Sequence, residues 1–241
     1  MRPQLTILAQ GNGWVVVAKP PRLLTHRTKQ TPRAPAVLQW LRDQLGQSVY
    51  PIHRLDAPAS GCLLFATEQD LAGPLSAALG AGQKTYVALV RGTCPAHAHT
   101  VINEPLLDDN RRLKDAQTDL LCLGSDDQHR ASLVLARPTT GRYHQVRRHL
   151  RRLSHPIVGD RAHGDSHINR AWRGRGIDRL ALHCVGLSLQ LPSQTHLSVH
   201  CPLFADQYDV YRQLSCWSAL CMAVPGIDIS ALPVPIARSE A

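Results

Sequence analysis

Short apolar runs bounded by Gly, Pro or polar turns recur along the whole chain. They fall at Leu5–Ala9, Trp14–Ala18, Cys62–Thr67, Thr85–Val90, Ser132–Ala136, Leu180–Leu191 and Leu197–His200, and their Val, Leu and aromatic content predicts strands. Three segments predict helices instead. The first covers about Ala36–Leu45, with Pro35 suited to its first turn. A second starts near Asp70, where Gly73 and Pro74 predict a short or broken element. The third covers about Tyr143–Leu153. Strands and helices mixed without regular alternation predict an α+β architecture around a largely antiparallel sheet. The pattern predicts one domain over residues 1–218. Residues 219–241 carry three prolines and little periodicity, which predicts a tail lying loosely over the surface.

The third helix has an unusual face. Val146, Leu150 and Leu153 fall at i, i+4 and i+7 and predict a buried stripe. Arg147, Arg148, Arg151 and Arg152 occupy much of the remainder, with His144 and His149 between them and no acidic residue for an i,i+4 pair. Such a row of guanidinium groups either is simply solvated or meets phosphates. Overall charge leans toward the second reading. Lys and Arg total 27 against 18 acidic residues in 241, a formal net charge of +9, which favours a polyanionic partner.

Other features exclude alternatives. The N-terminal residues lack the long apolar stretch of a signal peptide, and no run approaches the length of a membrane span. The seven cysteines form no C-x-x-C pair, so neither a zinc knuckle nor a disulfide framework is expected, and a reducing cytoplasm fits them. There is no Gly-rich dinucleotide loop and no convincing set of metal ligands, so no cofactor and no metal are expected. Ser60 lacks the surroundings of a hydrolase nucleophile elbow.

Asp56 stands between an apolar run and an Ala-Pro-Ala-Ser turn, followed by Cys62–Phe65, so its loop enters the core region. A carboxylate there needs a partner, because burying a lone one is costly. The candidates are Arg54 nearby or an arginine of the basic helix. The plain alternative is an Asp that caps its own turn.

Several segments together resemble the RluA family of pseudouridine synthases. HRLDAPASGCLLFA at 53–66 resembles the family's catalytic H-R-L-D motif, and KTYVALVRG at 84–92 its K-x-Y strand. TGRYHQVRRHL at 140–150 with HPIVGD at 155–160 is similar to the family's G-R-x-H-Q helix and H-P-x-x-G-D turn. RLALHCVGLSL at 179–189 and the early VVVAKPPRLLTH complete the set, in the family's order, over most of residues 5–202. Within the family, RRHLRRLSHPIVGDRAHGDSHINR most resembles the TruC type, which acts on uridine 65 of tRNA and has no separate N-terminal S4-type domain. The family's usual Thr in the catalytic turn is Ala59 here.

The resemblance implies the pseudouridine synthase catalytic fold and an isomerase that needs no cofactor. It assigns Asp56 as the catalytic carboxylate, Arg147 as its basic partner and Tyr86 as the ring packed on the uracil. Leu182 becomes the apolar wall opposite, and Arg54 fills the gap left by an extracted nucleotide. Arg142, His144, Gln145, Arg148 and Arg151 become contacts to the RNA. The implied partner is RNA, tRNA above all, with 23S ribosomal RNA as the alternative substrate and a non-catalytic RNA-binding protein as the alternative of another class. A monomer is expected.

Overall fold

The computed structural model describes residues 4–108 and 110–234. Its first two strands, β1 (Ile7–Gly11) and β2 (Trp14–Lys19), form a hairpin whose second strand is almost wholly buried. Helix α1 (Val37–Leu45) follows, closed by Gly46 at φ +66, the left-handed conformation that helix ends use. After the short β3 (Tyr50–Pro51) comes β4 (Ser60–Ala66), a run with every residue buried, as its unbroken apolar sequence demands. Helix α2 (Gln69–Ala81) leads into β5 (Gln83–Arg91). The middle of the chain supplies β6 (His99–Asn103), the two-residue strands β7 (Leu106–Leu107) and β8 (Leu113–Lys114), then the long hairpin of β9 (Gln117–Asp126) and β10 (Ala131–Pro138). Helices α3 (Gln145–Arg152) and α4 (Ser166–Arg173) precede β11 (Leu182–Gln190) and β12 (His196–His200), and α5 (Ala205–Tyr211) and α6 (Trp217–Ala223) close the described chain.

Ten strands form one mixed sheet, in the path β1-β2-β4-β11-β5-β10-β9-β6, with β3 beside β4 and β12 beside β11. Among the described residues every strand pairing is antiparallel except that of β11 with β4, where His183 lies opposite Ser60 and Cys184 opposite Gly61. That exception matters. β4 is the continuation of the loop bearing Asp56, and its parallel contact inserts this loop next to β11 at the centre of the sheet. Gly61 permits it: at φ +116 a Cβ would lie 2.3 Å from the Cys184 carbonyl oxygen. The α+β architecture and largely antiparallel sheet expected from the pattern are present.

Four expectations are corrected. Helix α2 is continuous over 13 residues despite Pro74. The proline lies near the N-terminal end, where it removes a single bond to Asp70. Helix α3 starts at Gln145, two residues later than the pattern indicates, because His144 takes φ +53 and ψ +30. Cys94 and Cys122 form a disulfide that joins the segment after β5 to β9, although no framework was expected. Their sequence positions, 28 apart, give no hint that tertiary folding brings their Cα atoms to 6.4 Å. Finally, residues 219–234 are not loose. Leu220, Val224 and Ile227 are buried, and Leu232 pairs with Phe204. Residues 235–241 lie outside the described residues.

Candidate active site

Asp56 stands in the loop between β3 and β4 and lines a cleft of about 540 Å³. The loop is held from every side. Thr25 donates through its hydroxyl to the Leu55 carbonyl at 3.2 Å and accepts from the Leu55 amide at 3.1 Å. Lys19, completely buried, donates to the carbonyls of Pro20, Ala57 and Ala59 at 2.9, 3.1 and 2.7 Å. Burial and then the charge of Arg179 push the Lys19 pKa down, and the Asp56 carboxylate opposes them. Ser60 meets His183 Nδ1 at 2.8 Å and accepts from Arg179 at 3.2 Å. Arg179 in turn grips Asp206 of α5 through two nitrogens, at 2.5 and 2.9 Å. The turn hydroxyl lost at Ala59 thus leaves a loop already tied down by other groups.

The Asp56 carboxylate accepts a hydrogen bond from Arg147 Nη1 at 2.7 Å. Arg147 is not on the exposed face of α3, where the pattern put it; it is 5% exposed, and it donates Nε and Nη2 to Asp160 at 2.7 and 2.8 Å. The reason is energetic: between two carboxylates a buried guanidinium is fully paired, and the carboxylates are compensated in turn. Burial works to raise the Asp160 pKa, but hydrogen bonds and charge from Arg147 outweigh it, and the net shift is downward. Leu153, assigned to the buried stripe, is 36% exposed instead.

Tyr86 and Leu182, from adjacent central strands β5 and β11, line the cleft. Burial, and then the neighbouring Cys184, hold the Tyr86 phenol well above its ordinary pKa, so it stays protonated. Arg54 is exposed at the rim beside Asp56 and has no hydrogen-bond or ion-pair partner among the described residues. Arg142 is exposed and donates to the Asp115 carbonyl at 2.8 Å. His144 places Nε2 3.7 Å from Asp56 Oδ2, with Tyr143 stacked on its ring at 3.7 Å between centroids.

Three of the residues assigned to RNA contact sit differently. Gln145 is buried, and its amide is saturated inside the protein: the oxygen accepts from Thr140 and the Arg142 amide, while the nitrogen donates to the Gln117 carbonyl and Thr118. It braces the cleft wall rather than reaching out of it. Arg148 and Arg151 lie outside the residues lining the cleft. Arg148 donates to the carbonyls of Leu107 and Tyr143, and Arg151 is exposed. Arg152 pairs with Glu104, so only part of the expected guanidinium row is free.

The sequence pattern does not single out Lys19, Asp160, His163, Arg179 or Asp206. The first four stand inside the motif segments, so their positions are visible there although their tasks are not. Asp206 carries no signal, because its link to Arg179 spans 27 residues.

An arginine-paired carboxylate, an aromatic ring, an apolar side chain and the unpaired cation Arg54 line one cleft. The chain belongs to the RNA pseudouridylate synthase family, whose model matches residues 13–152, and it is an isomerase. It is 39% identical to a "tRNA pseudouridine synthase C" of Pasteurella multocida, over 78% of this chain and 86% of the relative. A protein of the same name from Haemophilus influenzae is also 39% identical, over 78% and 88%. Among solved structures, the human RNA pseudouridylate synthase domain containing 1 shares the fold, with a TM-score of 0.67 over 98% of this chain and 100% of that one, at 23% identity.

Proposed function

We propose that this enzyme converts uridine 65 of tRNA to pseudouridine, acting as a monomer in the cytoplasm with no cofactor. The observation that carries the catalytic part is the Asp56 carboxylate in the cleft, fixed by Arg147 at 2.7 Å. The relatives' printed names and the 147–170 segment support tRNA as the substrate. No helix of the described residues is long and apolar enough to cross a membrane.

The reaction breaks the bond from uracil N1 to C1′ of the ribose, turns the base, and forms the bond from C5 to C1′. The proton leaves C5 and N1 ends protonated, so nothing is oxidised or reduced. The target must leave its stack to reach the cleft. Asp56 acts at the junction of base and sugar. Arg147 keeps its charge and direction. The Tyr86 ring packs on the uracil, Leu182 forms the opposite wall, and Arg54 occupies the space the nucleotide vacates. Arg142, Arg148 and Arg151 meet phosphates, and Gln145 maintains the wall they stand on.

The test is pseudouridine mapping of total RNA from cells with and without the gene, by carbodiimide labelling and primer extension. Loss of one pseudouridine on the acceptor-stem side of a tRNA T-arm is expected. Loss of a ribosomal RNA site instead would overturn the substrate and keep the reaction. In vitro, Asp56→Asn is expected to abolish product and spare RNA binding; a fully active variant would remove Asp56 from its role.

A further inference from the structure

His144 and His163 form a pair that the reaction scheme leaves unused. His144 Nδ1 lies 2.9 Å from His163 Nε2, so one of the two atoms carries a proton and the other accepts it. The other nitrogen of His144, Nε2, faces Asp56 Oδ2 at 3.7 Å. The ring has little freedom: Tyr143 stacks on it at an interplanar angle of 21°, and the His163 ring meets it edge-on. His144 also stands at φ +53, a conformation non-glycine residues seldom take, and such strain concentrates at functional sites.

Both imidazoles are neutral at neutral pH. Burial lowers the His144 pKa to about 4, with Arg147 and His163 adding to the effect and Asp56 and Asp160 resisting. Burial likewise lowers that of His163, where Arg147, Arg148 and Arg151 outnumber Asp160 among the facing charges. A neutral His144 has one N–H to place. If it were on Nδ1, the Nε2 lone pair would confront the Asp56 carboxylate. If His163 donates from Nε2, Nδ1 becomes the acceptor, and the His144 proton sits on Nε2, directed at Asp56. Only the second arrangement is attractive at both ends. The backbone holds the donor in place: the His163 amide donates to Asp160 Oδ1 at 3.0 Å, the same carboxylate that clamps Arg147.

We infer that His163 is a positioning residue that fixes the tautomer of His144, so that Asp56 Oδ2 faces both an imidazole N–H and the Arg147 guanidinium. This rests on Asp56 being the catalytic carboxylate. His163 never touches the substrate; it acts through His144. Partners that orient another residue in this way are worth roughly tenfold to a hundredfold where they have been removed at metal sites, and an effect of that order is expected here.

Long-range ¹H–¹⁵N correlation spectra of the ¹⁵N-histidine-labelled enzyme give the tautomer directly. The expected result is Nε2–H for His144 in the wild type and Nδ1–H in His163→Glu, whose carboxylate accepts rather than donates. Kinetics supply the second readout. His163→Leu should lower kcat about tenfold or more with KM for RNA unchanged, His163→Gln should recover most of it through its amide N–H, and His163→Glu should be the slowest. An Nδ1–H tautomer in the wild type, or wild-type kcat in folded His163→Leu, would overturn the inference while leaving Asp56 in place. Asp56→Asn with full activity would instead overturn the reading beneath it. The wild-type spectrum decides the tautomer even if a variant fails to fold.

Discussion

Arg147 gives two of its nitrogens to Asp160 and keeps the third for Asp56. Asp160 thereby sets the direction of the guanidinium, and the guanidinium sets the direction of the Asp56 carboxylate. Gly159 makes the geometry possible. At φ +76, a Cβ there would lie 1.8 Å from the Arg179 carbonyl oxygen, so only glycine lets the Asp160 turn pack so closely.

Asp160→Asn should therefore damage activity without touching substrate. The amide keeps one accepting oxygen in place of two, turns an NH2 donor toward its neighbours, and leaves Arg147 with a single counter-charge. Breaking a buried pair typically costs roughly 3–5 kcal/mol, so urea unfolding should show a large loss of stability together with a fall in kcat. Unchanged stability and rate would mean that Arg147 is oriented by Asp56 alone.

Lys19→Met removes the donor that ties together the carbonyls of Pro20, Ala57 and Ala59. Each buried acceptor left unsatisfied costs about 1–3 kcal/mol. We expect a lowered denaturation midpoint and a slower enzyme, since the Asp56 turn loses its main tether. Hydrogen exchange of the Ala57 and Ala59 amides should quicken in parallel, and unaltered exchange would contradict the tether.

Ser60→Ala separates structural from nucleophilic roles. The variant strands His183 Nδ1 and one Arg179 contact, so a loss of about 1–3 kcal/mol in stability is expected. Pseudouridine formation, followed by release of tritium from C5-labelled uridine in RNA, should stay within a few-fold of wild type.

Acid should destabilise the fold well above the pH at which carboxylates titrate. Burial lowers the pKa of His53 to about 3, reinforced by Lys84, and burial likewise takes His183 to about 3. Unfolded histidine titrates near pH 6.5, so between roughly pH 6.5 and 3 the unfolded chain binds protons that the folded one refuses. Stability is then fully present above about pH 6.5 and declines as pH falls, by on the order of 2 kcal/mol for each of these histidines at pH 5. Urea midpoints measured from pH 7 to 4 should fall steadily, and His53→Gln, if folded, should flatten the curve.

The strands that form the centre of the sheet are legible in the sequence because their apolar runs are unbroken: Cys62–Thr67 and Thr85–Val90 anticipate β4 and β5 closely. Strand β9 is not. Polar Gln, Thr and Asp open it, its burial alternates only up to Cys122, and Gly and Ser follow, so no unbroken apolar run marks its length. Helix α4 escapes the pattern because SHINRAWR buries only Trp172 and so shows no apolar stripe, although Asp165 caps it by accepting from the amides of His167 and Ile168. The capping Asp ahead of this segment is the one local signal for it.

By itself the sequence determined the α+β class, the family, the loop that carries the carboxylate and the helix that carries its partner. These depend on local periodicity and on motif residues that stand close together along the chain. The motif resemblance pairs Arg147 with Asp56, and tertiary structure supplies the reason that it, and not Arg148, turns inward. Arg147 and Arg148 are neighbours of the same type, yet one is clamped between Asp56 and Asp160 and the other lies against backbone carbonyls outside the cleft. Charge pattern along a helix cannot distinguish them, because the cost of burying a guanidinium is set by carboxylates 91 and 13 residues away. The same holds for Lys19, Arg179 and the His144–His163 pair: each is fixed by what folding brings to it.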